Sequence, residues 1–132
     1  MDFKIMNKLV LVFLLSIFLV ACSPSDNTSI NQVSPMESVG LQSNDFAVII
    51  DVRTDGEWKS ERIPGAIHIP LDELKERMAE LKSFEGKQLI MQCAVGGRSS
   101  EAVEILQQAG FNNVSNMNGG IVAWNKAKLP LE

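Results

Sequence analysis

Two cysteines punctuate the 132-residue sequence, and one of them, Cys93, sits among residues suited to chemistry. It opens the segment Cys93-Ala94-Val95-Gly96-Gly97-Arg98-Ser99, which follows the apolar run Leu89 to Gln92 and precedes a stretch of helical periodicity. Gly96 and Gly97 accept backbone angles closed to other residues and let a ligand come close to the main chain. A loop curled in this way can aim several N–H groups inward as an anion nest, and the positive end of the helix that follows adds to it. A thiol at the lip of such a nest titrates below its ordinary range, and the thiolate is the nucleophilic form. Arg98 brings a fixed positive charge that could orient an oxyanion. A cysteine ending an apolar strand can also be plain core filling, and a glycine pair can be a hairpin turn. The helical pattern after Gly97 disfavours the hairpin. A strand, Cys, glycine pair, Arg and helix in succession instead describe a prepared anionic sulfur nucleophile.

The elements that must position this loop are legible around it. Ser34-Pro35-Met36-Glu37 is a capping box with proline at the first helical position, so a helix opens the folded unit. Phe46 to Ile50 is a continuous apolar run ending at Asp51, as expected of a strand buried on both faces. Thr54-Asp55-Gly56-Glu57 offers a second capping box, for a short helix bearing Trp58. Ala66 to Ile69 reads as a strand closed by Pro70. Leu71, Leu74, Met78 and Leu81 recur at three- and four-residue intervals, predicting one amphipathic helix whose solvated face carries Glu73, Glu76 and Glu80. After the site, Ala102, Val103, Leu106 and Ala109 mark a helix capped by Gly110. Asn113 to Met117 forms a last strand, and Gly119-Gly120 leads into a helical turn with Trp124. Strands alternating with helices imply an α/β fold with a parallel sheet covered on both faces. In such sheets the ligand crevice lies at the carboxyl ends of the strands, where the Cys93 loop must sit.

Other residues of chemical potential are given structural roles. Asp51 and Arg53, at the end of the first long strand, could be an acid/base pair; a charge pair supporting the site is favoured because a buried carboxylate normally requires a partner. His68, the single histidine, lies within a short strand, and a nest-stabilised thiolate needs no general base. Trp58 and Trp124 are read as packing residues.

The first residues belong to a different argument. Lys4 and Lys8 precede an apolar run from Leu9 to Val20 that is too short for a bilayer span of roughly 20 apolar residues. A basic start, short apolar middle and small-residue end describe a cleaved secretory signal over residues 1–21. Leu19-Val20-Ala21-Cys22 resembles the lipobox of bacterial lipoproteins, which implies a lipid-bearing Cys22 and a membrane anchor on the periplasmic side. Ser23 after it resembles the outer-membrane sorting pattern. Residues 22–33 would then be the lipidated cysteine and a flexible polar tether, and residues 34–132 the folded domain. With Cys22 acylated, Cys93 is a single thiol in a compartment where exported proteins usually pair theirs. The chain holds 12 basic and 16 acidic side chains without a basic run, which gives no reason to expect nucleic acid.

Several motifs then agree on one family. CAVGGRS with Glu101-Ala102 and Leu106, Gly110-Phe111, Val114, and Met117-Asn118-Gly119-Gly120-Ile121 with Ala123-Trp124 resemble the active-site half of single-domain rhodaneses. Ile50-Asp51-Val52-Arg53, Glu57-Trp58 and Ile63-Pro64-Gly65-Ala66-Ile67-His68-Ile69-Pro70 resemble its other signatures in the same order, so the likeness spans about residues 35–128. It implies a rhodanese-like fold, about five parallel strands flanked by helices, with a nucleophile at Cys93. The implied reaction takes sulfane sulfur from a small sulfur-containing anion such as thiosulfate, holds it as a persulfide, and passes it to a thiol or cyanide. Backbone N–H groups of Ala94 to Ser99 would bind the substrate sulfur, with no metal or organic cofactor. Phosphatases and arsenate reductases of this fold are recognised by one more residue between Cys and Arg; here four residues, Ala94 to Gly97, intervene, which favours sulfur transfer. Where many members carry His before Ile-Pro-Gly-Ala, this chain has Arg62. A sulfur carrier without turnover of its own, or an interaction module that kept only the fold, are the competing classes. Intact Cys93, the glycine pair and Arg98 argue against the latter.

Overall fold

The computed structural model describes residues 29–132. The signal, Cys22 and most of the tether lie outside the described residues. Five strands run parallel in one sheet: β1 (Gln32–Val33), β2 (Ala47–Asp51), β3 (Ile67–His68), β4 (Gln88–Gln92) and β5 (Val114–Met117). Their order is β1-β5-β4-β2-β3, so β4 lies at the centre. The helices are α1 (Pro35–Ser43), α2 (Asp55–Ser60), α3 (Leu74–Arg77), α4 (Gly97–Gln108) and α5 (Gly120–Lys126).

Alternation along the strands divides the core into two layers. Val48 and Ile50 of β2 join Leu89 and Met91 of β4 in a cluster with Leu74, Ala102, Val103 and Leu106, on the α3 and α4 face. Ala47, Ile49 and Ile90 point the other way, to Val33, Met117, Ile121 and Trp124, with Val39 and Leu41 of α1 packed against them. β2 is buried along its whole length, which is why it reads as an unbroken apolar run rather than an alternating one.

Both predicted capping boxes form. Ser34 Oγ accepts from Glu37 N at 3.2 Å while Ser34 N donates to the Glu37 carboxylate at 2.8 Å. Thr54 and Glu57 repeat the arrangement at the start of α2. Such reciprocal bonds satisfy two of the donors a helix start leaves open.

Two expectations are corrected. Gln32 and Val33, placed in the tether by their polar neighbours, form an edge strand paired with Asn116 and Met117, so the folded unit begins before residue 34. A two-residue strand carries no periodicity; burial of Val33 and the bond from Asn116 Nδ2 to Gln32 Oε1 at 2.9 Å hold it. The single helix expected from Leu71 to Leu81 is instead a composite, with 3₁₀ turns Leu71–Glu73 and Met78–Phe84 flanking the one α turn of α3. The spacing explains this. Leu71 to Leu74, and Met78, Leu81 and Phe84, are three apart and align on one face at 3.0 residues per turn; the single interval of four, Leu74 to Met78, falls on the α turn.

Candidate active site

β4 runs into the loop Cys93–Gly96 at the carboxyl edge of the sheet, and α4 starts at Gly97. Gly96 caps that helix with φ of +116°, a conformation that L side chains rarely adopt, and this turns the chain back over the sulfur. Cys93 Sγ accepts hydrogen bonds from Gly96 N at 3.1 Å and from Ser99 Oγ at 3.2 Å. The residue is only 1% exposed. Burial alone would push the thiol up, but the Ser99 hydroxyl and the N–H groups of Ser99, Gly96 and Val95 outweigh it and bring Cys93 below the ordinary thiol range. The site therefore stabilises a thiolate by donated hydrogen bonds at a helix start.

The loop is held from its other side by the α5 start. Ile121 N donates to Cys93 O at 2.9 Å and Val122 N to Ala94 O at 3.1 Å, while Gln92 Nε2 also reaches Cys93 O. Gly120 makes this approach possible. A Cβ there would lie 2.3 Å from Cys93 O and 2.5 Å from Ala94 O, inside any permissible contact. Gly120, the first residue of α5, thus seats the carbonyls of the Cys93 loop, leaving its N–H groups free to face the sulfur.

Of the residues expected to bind substrate, the structure brings Val95, Gly96 and Ser99 to the sulfur through backbone or hydroxyl donors. Ala94 contributes its carbonyl to the α5 seat, and Gly97 begins α4. Arg98 is different: its guanidinium forms a bidentate pair with Glu57, Nη1 to Oε2 at 2.7 Å and Nη2 to Oε1 at 2.8 Å. The Arg98 hydrogen bonds are the largest reason that the Glu57 carboxyl falls to about 2, and the pair raises Arg98 in turn. The sequence offered Glu57 as a capping residue and as part of the Glu57-Trp58 signature, with no sign of a partner in Arg98. Glu57 performs both tasks, tying α2 to α4, and a single carboxylate with four acceptor sites can do so.

Asp51 and Arg53 form the expected structural pair and do not touch the sulfur. Arg53 Nη2 to Asp51 Oδ2 is 2.7 Å, the Arg53 N–H donates to Oδ1 at 2.9 Å, and Nη2 also donates to Glu61 O at 2.8 Å. Both side chains are buried. His68 Nε2 lies 2.8 Å from Arg53 O, and its ring stacks on Trp58 with centroids 4.8 Å apart. Arg62 covers the Trp58 ring at 5.2 Å and exchanges main-chain hydrogen bonds with Glu132. Trp124 is core, its Nε1 donating to Pro130 O at 2.8 Å. Among the described residues no group of three or more His, Cys, Asp or Glu side chains is placed to hold a metal ion.

A five-stranded parallel sheet thus presents Cys93 in a nest of hydrogen-bond donors, with four residues between Cys and Arg. Comparison with known proteins identifies the family. Residues 36–127 match the family described as rhodanese-like domain, and the chain belongs to that family. A sulfurtransferase of Allochromatium vinosum is 32% identical over 91 residues, covering 69% of this chain and 83% of that protein. The Synechocystis protein slr1261 is 32% identical over 98 residues, 74% of this chain, which spans 54% of that longer relative. Among solved structures, a rhodanese-related protein from Thermoplasma volcanium matches 77% of this chain and 97% of its own, with a TM-score of 0.70 at 29% identity. With the Allochromatium sulfurtransferase among its relatives, the family supports sulfur transfer as the class of chemistry.

Proposed function

We propose that the protein is a sulfurtransferase that takes sulfane sulfur from thiosulfate or a similar donor onto Cys93 and passes it to a thiol or cyanide. The observation that carries this reading is the pair of donors on Cys93 Sγ, Gly96 N–H and Ser99 Oγ–H, at the start of α4. The Cys93 thiolate attacks the outer sulfur of the donor; the donor S–S bond breaks and sulfite leaves with its electron pair. Cys93 then bears a persulfide anion, stabilised by the same N–H groups. A second nucleophile attacks the outer sulfur and restores the thiolate, giving thiocyanate from cyanide or a new persulfide from a thiol. The two half-reactions share one site, so ping-pong kinetics are expected.

Incubating the purified protein with thiosulfate and weighing it should show a gain of one sulfur atom in the wild type and none in Cys93→Ser. Absence of the gain in the wild type, or an equal gain in the variant, refutes the mechanism.

We also propose that the mature chain is held to the periplasmic side of a bacterial membrane by acyl groups on Cys22. The support is the lipobox-like Leu19-Val20-Ala21-Cys22 after a short signal. Cys22→Ala should move the protein from the membrane to the soluble fraction, and its retention in the membrane would count against the anchor.

A further inference from the structure

Arg98 is the fixed cation of the catalytic loop, yet both of its terminal nitrogens are committed to Glu57 rather than to the sulfur. Beside it opens a cleft of about 490 Å³, whose charged lining sets Lys75 and Arg98 against Asp72 and Glu101, with Val52 and Leu71 as part of its apolar wall. With Glu57 included, carboxylates outnumber cations three to two. On the loop itself Val95 is 67% exposed, and Val122, 56% exposed, is drawn against the loop by its bond to Ala94 O. A donor approaching Cys93 over this face would meet methyl groups and a compensated ion pair. Attraction for its charge is left to backbone N–H groups, and those act over a short range.

We propose that Glu57 is a specificity-determining residue: by neutralising Arg98 it removes the advantage of doubly charged donors, so that the site prefers a singly charged sulfane donor whose sulfur is borne on an apolar group. This rests on the Cys93 persulfide reading above. Thiosulfate, a dianion, and benzenethiosulfonate, a monoanion with an apolar ring, undergo the same bond changes. Because sulfite and benzenesulfinate differ as leaving groups, the effect of Glu57 is read from how each variant changes the ratio of kcat/KM for the two donors. With each donor, the Cys93 thiolate attacks the outer sulfur and forms a new S–S bond. The old S–S bond breaks, its electron pair leaving on sulfite or on benzenesulfinate, and charge balances without any other reactant.

Wild type should use benzenethiosulfonate with a kcat/KM at least about tenfold above that for thiosulfate, since the missing charge and the better leaving group act in the same direction. Glu57→Gln keeps an acceptor for the Thr54 cap but frees the charge of Arg98. It should raise kcat/KM for thiosulfate about tenfold, raise it less for the aryl donor, and so narrow the gap. The same variant should move the midpoint of Cys93 alkylation to lower pH, because an uncompensated guanidinium favours the thiolate; a merely structural role for Glu57 would not do this. Arg98→Gln provides the opposite arm: Glu57 is left unpaired, and thiosulfate use should fall more than use of the aryl donor. A wild type that favours thiosulfate, or a donor ratio unchanged in both variants, overturns the proposal. Failure of the reading beneath it looks different, since then neither donor would add sulfur to Cys93 by mass.

Discussion

At the scale of single residues, the thiolate is held against burial by a small number of donors, and each should be measurable. Among the described residues Ser99 is the one side-chain donor on Cys93 Sγ. Ser99→Ala should therefore let the thiol rise toward its ordinary range. With the folded value raised, less thiolate is present at neutral pH, and the alkylation rate near pH 7 should fall. A hydrogen bond to a charged group contributes about 1.5–3 kcal/mol, and the more basic thiolate recovers part of that as nucleophilicity, so a three- to tenfold loss is expected, roughly. The loss should disappear as the pH is raised past the new midpoint. A deficit that persisted at alkaline pH would show that Ser99 acts by shape rather than by its hydroxyl.

At the scale of elements, the site is a junction where loops from neighbouring strands are fastened together, and the fastenings differ in kind. The pair Asp51–Arg53 is buried and ties the end of β2 to the Glu61 carbonyl beyond α2. Asp51→Asn would leave Arg53 charged and unpaired, and breaking a buried pair in this way costs about 3–5 kcal/mol. Urea denaturation should report that loss, while thiosulfate loading of the protein still folded persists. Gly120 is a fastening by absence of a side chain. Gly120→Ala places a Cβ against Cys93 O and Ala94 O, so the loop must shift. Overpacking and left-handed strain together should cost about 2–4 kcal/mol. Unlike Asp51→Asn, this change should also abolish loading in the molecules that remain folded, because it displaces the carbonyls that set the loop.

At the scale of the whole molecule, the central strand and the Cys93 loop were legible from residues 89–99 alone, because a buried strand, a glycine pair and a helical period each leave a local signature. Position at the carboxyl edge of the sheet followed from fold class. Less was visible where one residue serves two partners. Glu57 satisfied a capping box three residues from Thr54, and nothing local announced that its carboxylate also meets Arg98, 41 positions away. Edge strand β1 was hidden for a related reason: its Gln32 and Val33 gain meaning only from Asn116 and Met117 across the sheet. Gly119-Gly120 was legible as a turn before a helix, but the carbonyls that require Gly120 belong to the other half of the site.

The burial of Cys93 has a consequence for when the protein is reactive. At 1% exposure the sulfur is recessed beneath its own loop, so a reagent must reach into the loop to meet it. A transferred sulfur stands about 2 Å beyond Sγ, the length of one S–S bond. In the persulfide reading the cargo sits among the N–H groups of the loop, and transfer waits until a partner brings its thiol into the loop to collect it.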